Sequence, residues 1–363
     1  SSAVGQIGKN LIQNGAFRVA QRGTSFTGLG DASANPYTMD RWFFAEESDG
    51  GGRYTVAQES GAGPGNGFTN QLSVHCTTAD GTLAAGILNL LEQRIEAKEL
   101  QHIMKGTAAA KALTMSFWVK SSQTGVMNVL IRAQDTDRSI LTNYTINVAD
   151  TWEYKSFTIP GDTTGTITND TGIGFMVYFV LAAGSTFKGG TADAWATHNN
   201  NRYGTDQTVN IFASTDDDWS VTGVQLEVGS VATDFEHEDF GVTYLKCKRY
   251  LPFYFDAANN SNFRFAFGAA YSTSYFQCIL PFLVPPRAAV TISVDSIGNW
   301  RAETGDGTGI TVTAIATQPS VNADNFGMWS TANFQSSSGY TAKEPGFLRP
   351  NGTSGIMIAS CEL

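Results

Sequence analysis

The chain has 363 residues, and its 23 Lys and Arg against 33 Asp and Glu give a net charge of −10. An acidic chain lacks the basic surface that phosphate binding needs, so this balance argues against nucleic acid or an anionic membrane as the partner. Only 15% of the residues are charged, against about 25% in an average globular protein, and with 38 Gly and 23 Phe this indicates an extracellular type of β-protein.

The run GKNLIQNGAFRVAQRG, at 8–23, opens the chain with a dense pattern. Asn14-Gly15 predicts a turn that starts the first strand, with Phe17 and Val19 buried on one face. Polar side chains at Gln21 and Arg22 and in Asp40-Arg41-Trp42 are expected to tie this strand to its neighbours. Because the run holds no carboxylate and no thiol, it predicts a scaffold rather than a catalytic loop.

Strand signals dominate the first 240 residues. Within TMSFWV, Met115, Phe117 and Val119 point to one face of a strand while Ser116 and Trp118 point to the other. Other short β-branched or aromatic runs, separated by Gly, Asp, Asn and Ser turns, are RYTVAQ, NQLSVHC, MNVLIRAQ, YKSFTI, GIGFMVYFVLA, TVNIFAS and WSVTGVQLEV. The pattern predicts an all-β fold whose main body is an antiparallel jelly-roll sandwich.

One stretch of the chain has a spacing of apolar residues that fits a helix. Residues 97–104 predict a short helix from their apolar spacing, and residues 87–96 fit a strand or a helix equally. Near 241–250 an acidic turn passes into an apolar and basic run, which predicts a linker or short helix. Residues 251–363 return to short strands rich in Phe, and so small a domain is expected to bury an apolar face against copies of itself.

The four cysteines are far apart in the sequence, at Cys76, Cys247, Cys278 and Cys361. They could form two disulfides in three connectivities, or they could be small buried apolar residues. No stretch approaches the roughly 18 apolar residues of a membrane span, and SSAVGQIGKN has no apolar run of a signal peptide. We therefore expect no membrane insertion, and release by cell lysis within a virus particle is one route to an exterior location.

Several blocks occur in one order along nearly the whole chain. They are NLIQNGAFRVAQRG, YTMDRWFF (37–44), LTMSFWVKSS (113–122), TGVQLEVGSVATDFE (222–236), KCKRY (246–250), LPFLVPPRAAVTISV (280–294) and SCEL (360–363). This order resembles a family of tailed-bacteriophage tail fibre or appendage virion proteins that carry a carbohydrate-binding-module-like jelly roll. The most specific block is GVQLEVGSVATDFE, and the chain departs from the family pattern at Lys248, Leu251, Pro286 and Val290.

The resemblance implies a virion protein on the exterior of the phage particle, a homotrimer that contacts other virion proteins and binds rather than hydrolyses. It divides the chain into a segment 1–9, a jelly roll 10–240, a connector 241–250 and a C-terminal β domain 251–363. We expect no catalytic residues and no enzyme activity. No GxSxG, Cys/His constellation or phosphate loop appears in the sequence.

Three consecutive carboxylates, Asp216, Asp217 and Asp218, precede a strand and could ligate a structural calcium ion. In sandwich modules similar to this one such an ion lies between the first and last strands, which would bring Gln13 or Asn14 near Asp218 and Glu227. The alternative is a solvated acidic turn, with no cofactor at all. His237, between Glu236 and Glu238, is not expected to bind zinc, since adjacent residues of an extended chain point to opposite faces.

The segment 185–207 is the first candidate for glycan recognition, because sugars are bound by aromatic faces and by amide, carboxylate and guanidinium groups. A loop that merely pins itself to the sandwich is the alternative for Trp195. The C-terminal domain offers a competing set of aromatic residues. The candidate contacts are Trp195, Asn199, Asn200, Arg202 and Tyr203 in the segment, and Trp300 and Trp329 in the C-terminal domain.

Three hypotheses follow for the function. The first is a receptor-binding fibre or appendage that docks on a host-surface glycan, with avidity from trimerisation. The second is a capsid decoration or head-fibre protein that makes purely structural contacts in the virion. The third is a polysaccharide depolymerase, which needs two carboxylates facing each other across a sugar.

Overall fold

The computed structural model describes residues 8–32, 36–48, 50–61, 63–256, 264, 266–305, 309–317, 329–337, 339–351 and 355–363. The chain divides into two compact units, residues 1–243 with Leu363, and Tyr244–Glu362. The boundary lies within the predicted connector, where one helix, α1, spans Phe240–Lys248. None of the described helices is long and apolar enough to cross a membrane.

The first unit is an antiparallel jelly-roll sandwich, as the strand pattern predicts. One sheet has the order β1-β3-β4-β12-β6-β9 and the other β11-β8-β7-β10-β5-β2. The strands are β1 (Ser25–Leu29), β2 (Trp42–Glu47), β3 (Arg53–Ser60), β4 (Asn70–Thr78), β5 (Leu88–Glu96), β6 (Leu113–Ser121), β7 (Gly125–Ala133), β8 (Arg138–Ile146), β9 (Glu153–Ile159), β10 (Ile173–Ala183), β11 (Ala196–Thr197) and β12 (Asp218–Val228).

Alternation along each strand builds the core between these two sheets. Phe179 of β10 lies edge-on to Phe117 of β6, with ring centroids 5.0 Å apart. The centroid of the Phe179 ring also lies 5.5 Å from that of Trp219 of β12. All three side chains are fully buried. Burying one large apolar side chain contributes about 1.5–3 kcal/mol, so this aromatic layer fixes which face of β6 points inward. Ser116 and Trp118 therefore face away from the core.

The outer face of the second sheet is covered by the chain itself. A second apolar cluster joins Leu90, Leu130 and Tyr178 of that sheet to Phe187 and Tyr203 from the segment 185–207. The short strand β11 pairs with β8 and holds the segment on this face. The second sheet is thus buried on both sides, while the outer face of the first sheet keeps a groove.

The prediction of a strand at Phe17 is wrong. Asn14 and Phe17 have φ of 53° and 52°, which an extended strand cannot contain, and the first strand begins at Ser25. The Asn14 side chain takes the place of a strand partner: its amide donates to the carbonyls of Val19 and Asp40, and its oxygen accepts from the Val19 amide. Phe17 and Val19 are nevertheless buried, as predicted.

The ambiguous stretch 87–96 is a strand, β5, which pairs with both β2 and β10. The predicted short helix follows it as a 3-10 helix over Ala97–Ile103. Gln21 donates from its backbone amide and its side chain to the carboxylate of Asp40, which confirms the predicted polar tie. The four cysteines are all buried and free, so the alternative of two disulfides is wrong.

The second unit is smaller and also β. A three-stranded sheet has the order β13-β22-β16, and a seven-stranded sheet has the order β18-β17-β21-β14-β15-β20-β19. Trp300, Phe276 and Phe334 are buried in its core. The strands are β13 (Phe253–Asp256), β14 (Ala266–Ala270), β15 (Tyr275–Pro281), β16 (Thr291–Val294), β17 (Trp300–Thr304), β18 (Gly309–Thr311), β19 (Ala314–Thr317), β20 (Trp329–Gln335), β21 (Pro345–Pro350) and β22 (Ile356–Ser360).

Candidate functional site

A groove of about 900 Å³ lies on the outer face of the first sheet. Its floor comes from β6, β9 and β12, and one wall comes from the chain that follows β12. The lining residues are Asn66, Phe68, Ser116, Trp118, Tyr154, Ser156, Gly223, Val231, Ala232, Thr233, Asp234, Phe235 and His237. This volume is in the range of small-ligand sites in proteins.

The floor carries an aromatic pair. Trp118 of β6 lies directly opposite Tyr154 of β9, and their ring centroids are 5.4 Å apart at an interplanar angle of 55°. Tyr154 is 45% exposed, which is high for a tyrosine on a sheet. The neighbouring outward pair on the same two strands is Ser116 opposite Ser156, so two hydroxyls lie beside the rings. Side chains on directly opposite positions lie close enough to form one continuous surface.

The wall is the segment 229–237, and two side chains of β12 hold it. The carboxylate of Glu227 accepts from the backbone amide of Thr233 at 2.9 Å and from its hydroxyl at 2.7 Å. The Gln225 side-chain oxygen accepts from the amide of Glu236 at 2.9 Å. Charge-assisted bonds of this kind are stronger than neutral ones, so the wall is preorganised. The block GVQLEVGSVATDFE thus encodes both a strand and the wall beside it.

Three rings close one end of the groove. Phe68, Phe235 and His237 lie with their ring centroids 4.9–5.0 Å from one another, and the His237 Nε2 lies 3.1 Å from the Asn66 carbonyl oxygen. His237 is exposed and Phe68 is buried beneath it. This end presents an imidazole edge and polar backbone to a ligand.

The side chains that line the groove suit contacts with a sugar. The outward-facing rings of Trp118 and Tyr154 suit the apolar C–H face of a sugar, and the exposed hydroxyl of Ser156 suits a sugar hydroxyl. Among the described residues that line it, Asp234 is the only carboxylate. Hydrolysis of a glycoside generally uses two carboxyl groups across the scissile bond.

Comparisons with known proteins find solved structures that are similar to part of the chain. No family model matches the chain, and no curated protein matches it. Among solved structures, the enzymatically active domain of tailspike protein 4 of bacteriophage CBA120 is 13% identical, with a TM-score of 0.31, over 61% of this chain and 22% of that chain. This chain therefore spans about a fifth of that protein's length.

Two carbohydrate-binding modules are similar over most of their own lengths. A CBM4 module is 16% identical with a TM-score of 0.30, over 60% of this chain and 99% of that chain. The family 11 module of a Clostridium thermocellum cellulase is 14% identical with a TM-score of 0.28, over 57% of this chain and 96% of that chain. What the groove of this chain does must follow from its own residues.

The segment 185–207 is fastened to the sandwich. The indole of Trp195 donates to the Pro160 carbonyl at 2.7 Å, its ring lies 6.3 Å from Phe175, and the Lys105 ammonium lies 5.7 Å from its ring centroid. Trp195 is half-buried, an arrangement that matches the pinning alternative. Its ring packs against the core between the two sheets and does not line the groove on the outer face of the first sheet.

Two other predicted contacts in this segment are buried, which corrects the prediction of ligand binding for them. Arg202 donates to the carbonyls of Ala194 at 3.0 Å and Thr191 at 3.3 Å, so its guanidinium holds the loop together. Tyr203 packs edge-on against Tyr178 with centroids 5.6 Å apart. A buried side chain offers no surface to a sugar. Asn199 and Asn200 are exposed, and Asn199 caps a short 3-10 helix by accepting from the Asn201 amide.

The remaining two candidate contacts, Trp300 and Trp329, belong to the second unit. Trp300 is fully buried in its core, with its ring 6.0 Å from Phe255, and the prediction that it contacts a ligand is corrected. Trp329 begins β20, and its side chain lies outside the described residues.

The three aspartates do not converge. Asp217 is buried and accepts from the Gln123 side chain at 2.6 Å and the Ser214 amide at 2.8 Å, while Asp216 is exposed. Asp218 and Glu227 lie at opposite ends of β12, about 30 Å apart at roughly 3.3 Å per residue, so they cannot share one ion. Within the described part of the chain no group of three or more His, Cys, Asp or Glu side chains is placed to hold a metal.

Sequence reasoning missed the groove, although one signal was present. Trp118 is an outward position in the alternation of TMSFWV, and a large aromatic on the solvent side of a strand needs a reason. Tyr154 shows the same outward placement in β9. Glu236, by contrast, is structural, since its carboxylate accepts from the backbone amides of Gly8 and Asn10.

The turn before Tyr154 depends on one carboxylate. Glu153 accepts from the Asn147 and Val148 amides and from the Lys155 ammonium, and although burial opposes them, these bonds lower its pKa from 4.5 to about 2. A lowered pKa in the folded state means that this stabilisation is complete above pH 4.5 and is lost as the pH falls toward 2. We expect Glu153→Gln to lower stability at pH 7 but to narrow its gap to wild type below pH 4, measured by urea unfolding across that range. A gap that stays constant with pH would contradict this linkage.

Proposed function

We propose that the chain is a non-catalytic glycan-binding protein that holds a saccharide in the groove on the outer face of its first sheet. The observation that carries the proposal is the outward-facing pair of half-buried Trp118 and exposed Tyr154, with serine hydroxyls beside it and a wall fixed by hydrogen bonds. A preformed aromatic floor binds a sugar ring without first having to order itself.

We further propose that this binding serves a bacteriophage particle, on whose exterior the chain forms a homotrimeric tail fibre or appendage that docks on a host-surface glycan. The ordered sequence blocks support the virion assignment. Tyr271 and Leu283 of the second unit are 78% and 59% exposed, which supports association between copies of the chain. Light scattering is expected to give about three times the 38.9 kDa of the chain, and a monomeric mass would contradict the trimer.

The same exposed residues favour a second candidate, a capsid decoration or head-fibre protein that makes only structural contacts. Labelling the protein in intact particles distinguishes tail from capsid. Incubating purified protein with host capsule or lipopolysaccharide tests the third hypothesis, because a depolymerase releases reducing sugar and a binding protein does not.

A glycan array tests the binding site itself. Trp118→Ala and Tyr154→Ala are each expected to weaken binding about 30-fold, because truncating a central aromatic anchor costs about 2 kcal/mol. Trp195→Ala is the matched control, since it removes an aromatic ring fastened to Pro160 and should leave glycan affinity unchanged. Thermal unfolding shows whether each variant is folded. An array without binding, or equal affinity in all three variants, would remove the groove as the site.

A further inference from the structure

The second unit has a groove of its own. Its volume is about 660 Å³, and it lies on the face of the seven-stranded sheet that the unit's core does not cover. The residues that give it chemical character are Arg264, Phe267, Glu303, Thr304 and Phe347. None of them belongs to the groove of the first unit.

Two phenyl rings form one side of this groove. Phe267 of β14 lies directly opposite Phe347 of β21, and the ring centroids are 5.7 Å apart at an interplanar angle of 70°. The residues are 59% and 38% exposed, in the middle of a sheet where outward side chains are commonly polar. The exposed pair offers an apolar surface about the size of a sugar ring.

Guanidinium groups surround a single carboxylate beside these rings. Arg264 lies with its guanidinium carbon 5.8 Å from the Phe347 centroid, and its Nη2 donates to Glu303 at 2.6 Å. Glu303 also pairs with Arg349 and has Arg301 at 4.0 Å. Among the described residues beside this groove, and counting Glu344, which lies close to Gly305, three cations face two carboxylates. This is a local positive excess in a chain of net charge −10.

The Arg264 side chain is the exposed member of this group. Half of it is accessible, and Glu303 takes one of its five N–H donors, so further donors face the groove. A planar guanidinium matches the two oxygens of a carboxylate, and this pairing adds orientation as well as energy.

We propose that this groove is a second saccharide site, which binds a sugar that carries a carboxylate. Arg264 pairs with the carboxylate, and the Phe267 and Phe347 rings pack against the C–H face of the sugar. The site is independent of the groove in the first unit, so either can be correct without the other.

The test is titration of the intact chain with uronic-acid tetrasaccharides (galacturonic, glucuronic and mannuronic) and with their carboxyl-reduced counterparts. We expect at least one uronic-acid probe to bind more tightly than its reduced form, with affinity that falls as salt rises. Arg264→Gln should weaken that binding at least about tenfold, and Arg264→Lys should weaken it less, because it keeps the charge but loses the planar fork.

A matched control is Arg18→Gln in the first unit, because the Arg18 guanidinium also lies over an aromatic ring, 5.5 Å from the Phe240 centroid. This variant should bind as wild type does. The proposal is overturned if no uronic-acid probe binds more tightly than its reduced form, or if Arg264→Gln binds like wild type. Loss of the charged ligand in Trp118→Ala would place it in the first groove and overturn the proposal as well. A change of molecular mass in Phe267→Ala would show that this face joins copies of the chain, with the same consequence.

Discussion

The Asp162→Ala variant is expected to unfold with a free energy about 3–5 kcal/mol below that of the wild-type chain. The Asp162 carboxylate is buried and accepts two bonds from Arg138, at 2.8 and 3.1 Å, while the Lys105 ammonium lies 3.1 Å away. Burial opposes ionisation, but these bonds and one from the Thr164 amide hold the pKa of Asp162 below its ordinary value. Removing the carboxylate leaves buried cations without their counter-ion.

Asp137→Asn is the control for this prediction, because Asn tolerates the positive φ of 46° at this position as Asp does. Its carboxylate pairs with Arg132 at 2.7 Å but is 57% exposed, so its removal should cost less than about 1 kcal/mol. Urea unfolding at pH 7 measures both variants. Because the pKa of Asp162 is lowered on folding, its contribution is complete above 3.8, its ordinary value, and disappears as the pH falls below that value. Equal losses in the two variants would show that burial of the ion pair has no special role.

The sandwich could be predicted from the sequence because its signal is local. In β6 each second residue belongs to the core, and this period survives whatever the neighbouring strands are. The first turn could not be predicted in the same way. Its chain path depends on the Asn14 side chain, which bonds to backbone groups of Val19 and Asp40, and nothing in the apolar pattern records such a bond.

The groove, unlike the sandwich, could not be predicted from a local sequence pattern. The sequence alone shows Trp118 as an outward aromatic residue. A site forms only because the strand register places Tyr154 beside it and because Glu227 fixes the wall of the groove next to these rings. These are contacts between distant parts of the chain. Sequence reasoning turned instead to the segment 185–207, whose aromatic and amide residues have the composition of a binding loop. The structure uses Tyr203 and Arg202 of that segment for burial and for loop hydrogen bonds.

The stability of the fold and the shape of the groove both depend on the absence of a Cβ at Gly223. It has φ of +62° at the register shift of β12, between Thr222 and Gln225, and a Cβ placed on it would lie 2.6 Å from the Phe68 Cζ. Gly223→Ala is therefore expected to cost about 1–2 kcal/mol in backbone strain and about 1–3 kcal/mol more from overpacking. Phe68 lines the groove and must shift to relieve this clash, so glycan affinity should fall together with stability.

Gly61→Ala separates these two costs. Gly61 has φ of +85° with no atom within 4 Å of the position of its Cβ, so only the strain applies there. Adding Phe68→Leu to Gly223→Ala removes the clashing ring atom and should recover part of the lost stability, while the groove still lacks its buried ring. Chemical unfolding and glycan titration of the three variants measure both quantities. If Gly223→Ala and Gly61→Ala lose equal stability, Phe68 is not what requires glycine at 223.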